Sequence, residues 1–196
     1  MKKILLGSAS SRRAEILRFF SIPFDQVSSP YDESQLSKKL SAKEYAYQAA
    51  VNKAKALHEK FPNEIILSAD TVVSCKGKIF LKPKSENEAF EMLKVLSGSW
   101  HEVYSSVCVH TPTNIFADTE LTKILFHSLS DEQIQTYHKN CYFHDKAGGY
   151  AIQRGGSIIV KRIEGCYYNI MGLPLNTMRK MLYKAGIDLW EYLKPL

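Results

Sequence analysis

The sequence predicts an α/β fold, on three observations. An apolar run ends at Gly7, passes through the small-residue loop Ser8-Ala9-Ser10-Ser11, and opens into a helix that carries Arg12 and Arg13 in its first turn. A long helical pattern over residues 41–60 precedes an almost unbroken apolar strand over 64–73. An alternating stretch over 100–110, a turn at 111–114 and a returning strand over 115–126 read as a hairpin. At 196 residues the chain suits one domain, 1–196, divided at most into two lobes, and is long enough to bury a sizeable core.

In chain order, the first helix is predicted over 12–20, with Ile16, Leu17 and Phe20 as its buried stripe and Pro23 blocking its continuation. A short strand over 24–27 leads to a polar, Pro30-containing loop that reaches residue 39 and holds Asp32 and Glu33. Adjacent acids on a loop are ordinarily solvated, though such a loop also brings a carboxylate to a metal. The 41–60 helix has a stripe of Ala46, Ala49, Ala50, Ala54 and Leu57, and Lys53 falls in register with it. Its stem lies along apolar surface, while its ammonium either reaches an anion in a cleft or snorkels to water.

The 64–73 strand is broken in character by Asp70 and Thr71. A carboxylate among apolar neighbours is costly unless paired, hydrogen-bonded or metal-bound, and ligands dock at the carboxyl ends of strands in open α/β sheets. Asp70 is therefore the leading functional candidate. After a turn at Lys76-Gly77, residues 78–81 form a short strand running into Lys82-Pro83, where the proline fixes the chain just past the lysine. Ser85 and Glu88 make a capping-box pattern for a helix with Ala89, Met92, Leu93 and Leu96 on one face, ended by Gly98.

Beyond the hairpin, Ser130 and Gln133 cap a helix over 130–139, and the stretch 145–156, DKAGGYAIQRGG, reads on its own as a tight turn entering a strand. A strand over 158–163 and a Gly165 turn follow. Residues 169–175 then lead through Gly172 and Pro174 into a last helix striped by Leu175, Met178, Met181 and Leu182 and stopped by Gly186. Residues 190–193 form a terminal apolar patch that covers either the core or a partner.

A formal charge of +6, with basic residues spread along the chain, favours a local anionic ligand over a long polyanion, so nucleic acid is not expected as a partner. Cys75, Cys108, Cys141 and Cys166 form no CxxC pair and lack close histidines, which argues against zinc and for reduced thiols in the cytosol. Without a signal peptide or an apolar run of roughly 18 residues, a soluble cytoplasmic protein away from membranes is expected. The 4–13 stretch suits a phosphate: small residues allow close backbone approach, a helix N-terminus presents free N–H groups, and guanidinium forks match phosphate oxygens. Serine N-caps and solvated arginines give an ordinary alternative for that stretch.

Four separated motifs nevertheless stand in one order: GSASSRR at the start, ADTVV at 69–73, KP followed by LSGSWHEV at 96–103, and KAGGYAIQ with GCYYNIMGLPL near the end. Together they resemble the Maf family of nucleoside triphosphate pyrophosphatases over essentially the whole chain. The resemblance implies an elongated, mixed-sheet fold with a central cleft, shared with the inosine triphosphatase group, and a homodimer. It also implies hydrolysis between the α and β phosphates with a divalent cation, Mg²⁺ or Mn²⁺. By match of position, Asp70 is implied as proton acceptor or metal holder, and Glu33 as a second acid near the metal. Arg12, Arg13, Lys53 and Lys82 fall at phosphate-binding positions, with Ser8 in the same opening motif.

Arg12, Thr71 and Gln153 fall where substrate subgroups differ. Thr71 and Gln153 resemble the branch acting on dTTP and UTP rather than the 7-methyl-GTP branch, and a Gln amide pairs with the donor–acceptor edge of a pyrimidine. The chain departs from the family pattern at Ser11 (proline usual) and at Leu81, Ala151 and Arg154 (glycine common). Asp70 is a weak base at an ordinary carboxylate pKa near 3.9, so it acts either as a free base or, preferably, through a metal-bound water. The alternatives are a nucleotide-sensing regulatory protein, suggested by the family's association with septum formation, and the same hydrolase with a 7-methyl-GTP preference.

Overall fold

The computed structural model describes residues 2–37 and 39–194; residue 38, in the predicted loop, lies outside them. The elements are β1 (Ile4–Gly7), α1 (Ser11–Leu17), β2 (Phe24–Gln26), α2 (Ala42–His58), β3 (Ile65–Cys75), β4 (Lys78–Phe80), α3 (Glu86–Leu96), β5 (Trp100–His110), β6 (Ile115–Phe126), α4 (Asp131–Asn140), β7 (Val160–Glu164), α5 (Tyr167–Met171) and α6 (Leu175–Lys184). They form a mixed seven-stranded sheet in the order β2-β1-β3-β5-β6-β7, with β4 also on β3. β1 runs parallel to β2 and β3, while the β3–β5, β5–β6 and β6–β7 pairs are antiparallel.

One detail of this topology makes room for a site. Along one edge, β3 pairs with β1 from Ile65 to Ser68 and with β4 from Val73 to Cys75. Residues 69–72 have no strand beside them on that edge, because β1 ends at Gly7 and its chain turns away through Ser8 into α1. This is where neighbouring connections diverge at the carboxyl end of parallel strands, the usual place for a ligand in an open sheet.

Side-chain alternation along β1, β3 and β5 feeds two faces. On one, α1, α5 and α6 bring Ile16, Leu17, Met178 and Leu182 against Ile4, Leu6, Leu67 and Val107. On the other, the alanine stripe of α2 lets the helix lie close: Ala50, Ala54 and Leu57 pack on Leu5, Ile66 and Cys108, and Ala46 and Ala49 on Val72. The Ser68 hydroxyl donates to the Ala50 carbonyl at 2.6 Å, fastening α2 to β3 one turn before Lys53. A further core joins α3 and α4 to Val73, Val103, Ile124, Phe126 and Tyr150. Burial of each such leucine or isoleucine contributes roughly 1.5–3 kcal/mol.

Several predicted boundaries shift, for visible reasons. α1 ends at Leu17 rather than residue 20, because the chain tightens into bonds from Phe19 N to Ile16 O and Phe20 N to Leu17 O and then pairs Phe20 with Leu193. Of the terminal patch only Tyr192 packs on the core, beside the buried Leu189, while Trp190 and Leu193 stay exposed. The last strand starts at Val160, not residue 158, since residues 154–159 coil into a 3₁₀ turn that leaves Ile158 77% exposed. Ser85 caps α3, but Glu88 accepts from Lys84 N rather than from Ser85 N, so that box is half formed, whereas Ser130 and Gln133 complete theirs. No helix among the described residues is long and apolar enough to cross a membrane.

Within the α3–α4 core, His101 is 2% exposed, meets the Tyr150 hydroxyl at 3.0 Å and packs edge-on against Phe126. Burial pushes its pKa down to about 4, against a smaller upward pull from the Ser99 carbonyl. Between pH 6.5 and 4 the unfolded chain therefore takes up a proton that the folded one refuses, and stability falls with pH across that window. His101→Gln should flatten this loss by about 3 kcal/mol relative to wild type. Urea unfolding at the two ends of the window measures the difference, and equal pH slopes would refute it.

Candidate functional site

Asp70 stands in the gap of β3, only 6% exposed, and its side chain faces α2. Lys53, held in the alanine stripe, places Nζ 2.5 Å from Asp70 Oδ1 and 2.7 Å from Glu33 Oε1. The ammonium predicted to reach an anion or water instead links the two acids. Burial raises the Asp70 pKa above its ordinary value, and Glu33 adds to this, while Lys53 and Arg13 oppose it. Burial also works against the Glu33 charge, but Lys53, Lys82 and Arg13 together outweigh it and hold its pKa below the usual value. The two acids are thereby split, the buried one being the better proton acceptor.

The next residue along β3, Thr71, faces the opposite side, as alternation requires. Its hydroxyl accepts from Arg13 Nη2 at 3.2 Å and lies 2.8 Å from Ser105 Oγ, which donates to the Asn169 carbonyl at 2.7 Å. Arg13 also donates from Nη1 to Ser8 Oγ at 3.0 Å and from Nε to the Gly172 carbonyl at 2.8 Å. Its guanidinium thus ties the opening loop to β3 and α5 while still lining the cleft. Gly172 has a φ of +100°, and a Cβ there would lie 3.1 Å from Thr71 Oγ1, so this approach needs glycine.

A cleft of about 260 Å³ collects Ser8, Arg12, Arg13, Glu33, Lys53, Asp70, Thr71, Lys82 and Gln153. These sequence-derived candidates line one cleft, whereas Asp32 lies outside it and accepts from Ser34. Arg12 is partly buried, its Nε without a hydrogen-bond partner among the described residues, and burial pulls its pKa down against the upward effect of Asp145. Lys82 is exposed, on the segment after β4 and just before the buried Pro83. Gln153 makes only a weak 3.5 Å contact with Glu15 Oε2. Sequence reasoning passed over Asp145 and Lys146, which also line the cleft; a lysine beside an acid in a glycine-rich turn carries no periodic signal.

Arg154, beside Gln153, has a φ of +54°. That conformation accounts for glycine being common at this position in the resembling family, since an L side chain there costs roughly 1–2 kcal/mol. Arg154→Gly should relieve the clash at a small entropic expense and leave the protein about as stable or up to ~1 kcal/mol more so. A lower unfolding midpoint in urea would contradict this.

Two carboxylates offer hard oxygen donors of the kind Mg²⁺ and Mn²⁺ accept. Asp70 Oδ1 and Glu33 Oε1 are spent on Lys53, while Asp70 Oδ2 and Glu33 Oε2 accept no hydrogen bond from the described residues. The donors fit a cation that retains several waters and leans on substrate phosphates. No group of three or more His, Cys, Asp or Glu side chains suited to a metal occurs among the described residues.

The fold and the cleft define a mixed-sheet α/β protein that gathers Arg12, Arg13, Lys53 and Lys82 around the buried Asp70. Residues 3–185 match the family described as Maf-like protein, and the chain belongs to the Maf family. It is 42% identical over 197 residues to a dTTP/UTP pyrophosphatase of Caldicellulosiruptor bescii and 40% identical over 192 residues to a dTTP/UTP pyrophosphatase of Chlamydia felis, each alignment covering 97% of this chain and 98% of the relative. A nucleoside triphosphate pyrophosphatase of Chlamydia muridarum is 39% identical over 192 residues, with the same coverage. Among solved structures, the Staphylococcus aureus Ham1 protein is similar at 12% identity and a TM-score of 0.47, covering 98% of this chain and 94% of that one, a likeness too slight to argue from.

Proposed function

We propose that this Maf-family chain is a pyrophosphatase that hydrolyses dTTP and UTP to the monophosphate and pyrophosphate. The observation that carries the reading is the Lys53-linked pair Asp70 and Glu33 in a cleft with Arg12, Arg13 and Lys82. The names of relatives at about 40% identity support the reaction and the pyrimidine preference.

In this reading the cations hold the triphosphate with its α phosphorus toward Asp70. Asp70 takes a proton from a water whose oxygen attacks the α phosphorus; the bond to the α–β bridging oxygen breaks, and pyrophosphate leaves with that oxygen. Negative charge grows on the leaving group, where Arg12, Arg13 and Lys82 stabilise it. Its raised pKa makes Asp70 a stronger base than a free carboxylate. Asp70 and Glu33 would hold a divalent cation, which supplies further neutralisation of the phosphate charge. Gln153, and Thr71 through its hold on Arg13, set the base preference.

The protein works as one domain with the cleft between its cores, as a homodimer in the cytosol; the free cysteines suit that compartment. A pyrophosphate-release screen of canonical and modified nucleoside triphosphates with Mg²⁺ and with Mn²⁺ tests the reading. Release from dTTP and UTP in preference to purine nucleotides supports it. Tight nucleotide binding with no release from any triphosphate would favour a sensing role instead.

A further inference from the structure

Beside the phosphate-sized cleft lies a wider groove of about 1270 Å³, and Arg12, Asp145, Lys146 and Gln153 line both. Lys146 is 7% exposed, with Nζ 2.5 Å from Asp145 Oδ1 and 4.5 Å from the centre of the Tyr142 ring. Burial of the ammonium and the nearby Arg12 charge both work against its protonation, and Asp145 restores only part of the loss. Arg12 adds a buried Nε with no acceptor among the described residues. Two confined cations thus draw on one carboxylate, whose own side chain is 45% exposed. A pair built only to hold the fold would match its charges, because an under-neutralised buried cation is costly. Arg12 and Lys146 both line the cleft, and the Arg12 guanidinium donates no hydrogen bond to any described residue.

We propose that Asp145 stands in for substrate: its carboxylate engages Lys146 in the empty cleft, and the phosphates of an incoming nucleotide take over that ammonium and the free donors of Arg12. Lys146 then becomes a substrate-binding residue, and Asp145 tunes affinity by competing for it. The inference rests on the nucleotide-hydrolase reading for the identity of the ligand, but its chemistry concerns only a polyphosphate anion.

Opposite signs distinguish this from a structural ion pair, whose two members would fail alike. Asp145→Asn keeps the shape and removes the competing charge, so KM for UTP and the Kd for inorganic pyrophosphate by calorimetry should both fall, by about threefold to tenfold. Lys146→Met should raise both by about tenfold or more, and Lys146→Arg should bring them most of the way back. Weaker pyrophosphate binding in Asp145→Asn would overturn the proposal, as would unchanged binding in a folded Lys146→Met. If Lys146→Met does not fold, Asp145→Asn and Lys146→Arg still decide it. Wild-type protein that releases no pyrophosphate from nucleotides, yet binds it more tightly as Asp145→Asn, would remove the hydrolase reading and leave this one standing.

Discussion

Asp70→Asn is expected to cut pyrophosphate release by roughly a thousandfold or more, the loss of a positioned base, while nucleotide binding and the fold persist. Asn has the shape of Asp, and Lys53 keeps Glu33 at 2.7 Å when the Asp70 charge is gone. The variant should be no less stable at neutral pH. Because the folded-state pKa of Asp70 is raised, chiefly by burial, its ionised form detracts from stability above that pKa, and the deficit disappears as pH falls toward the ordinary carboxylate value. The melting temperature of Asp70→Asn should therefore equal or exceed that of wild type at pH 7, with the difference closing on acidification. In protein without bound metal, the same shift should place the Asp70 titration, followed by carboxyl NMR, above the pH at which a free Asp titrates. Undiminished turnover in the Asn variant would take Asp70 out of the mechanism.

Lys53→Met should lower activity by at least about a hundredfold and stability by ~3 kcal/mol at pH 7, because it strands the buried Asp70 carboxylate beside Glu33. Most of that loss belongs to Asp70; the Glu33 side chain is 36% exposed, and water screens its share. Without Lys53 the pKa values of both acids rise, so the acid limb of any residual activity moves up and acidification recovers part of the stability. Urea unfolding at pH 7 and pH 5 reads this directly. A variant as stable as wild type at pH 7 would show that Lys53 does not offset the two charges.

The hairpin of β5 and β6 was legible to the residue, because alternation at the start of β5 and the polar turn at 111–114 separate two long strand-like stretches. α2 was legible through its alanine stripe, and α4 through Ser130 and Gln133. The end of α1, the start of β7 and the short helix α5 were not, since each depends on contacts with distant chain: Phe20 with Leu193, His127 N with Ile159 O, and Asn169 Nδ2 with Val103 O and Thr122 Oγ1. The site residues were legible as a set only through the resemblance, because spacing along the chain does not reveal that positions 12, 33, 53, 70, 82 and 153 face one space. What each holds before a ligand arrives was hidden. Arg13 reads as a phosphate fork but is already engaged with three acceptors, and Lys53 reads as a lone cation but is bound to two acids.

The break beside residues 69–72 of β3 also bears on how the molecule moves. Across that break β3 continues in register with β5 from Ile66 to Ser74, and β5 with β6 along its whole length, so a rigid spine runs beneath the opening. Shutting the two sides like a jaw would mean bending that spine. Selection between nucleotides therefore falls to side chains and turns on the rim, and the sheet itself should look the same whether loaded or empty.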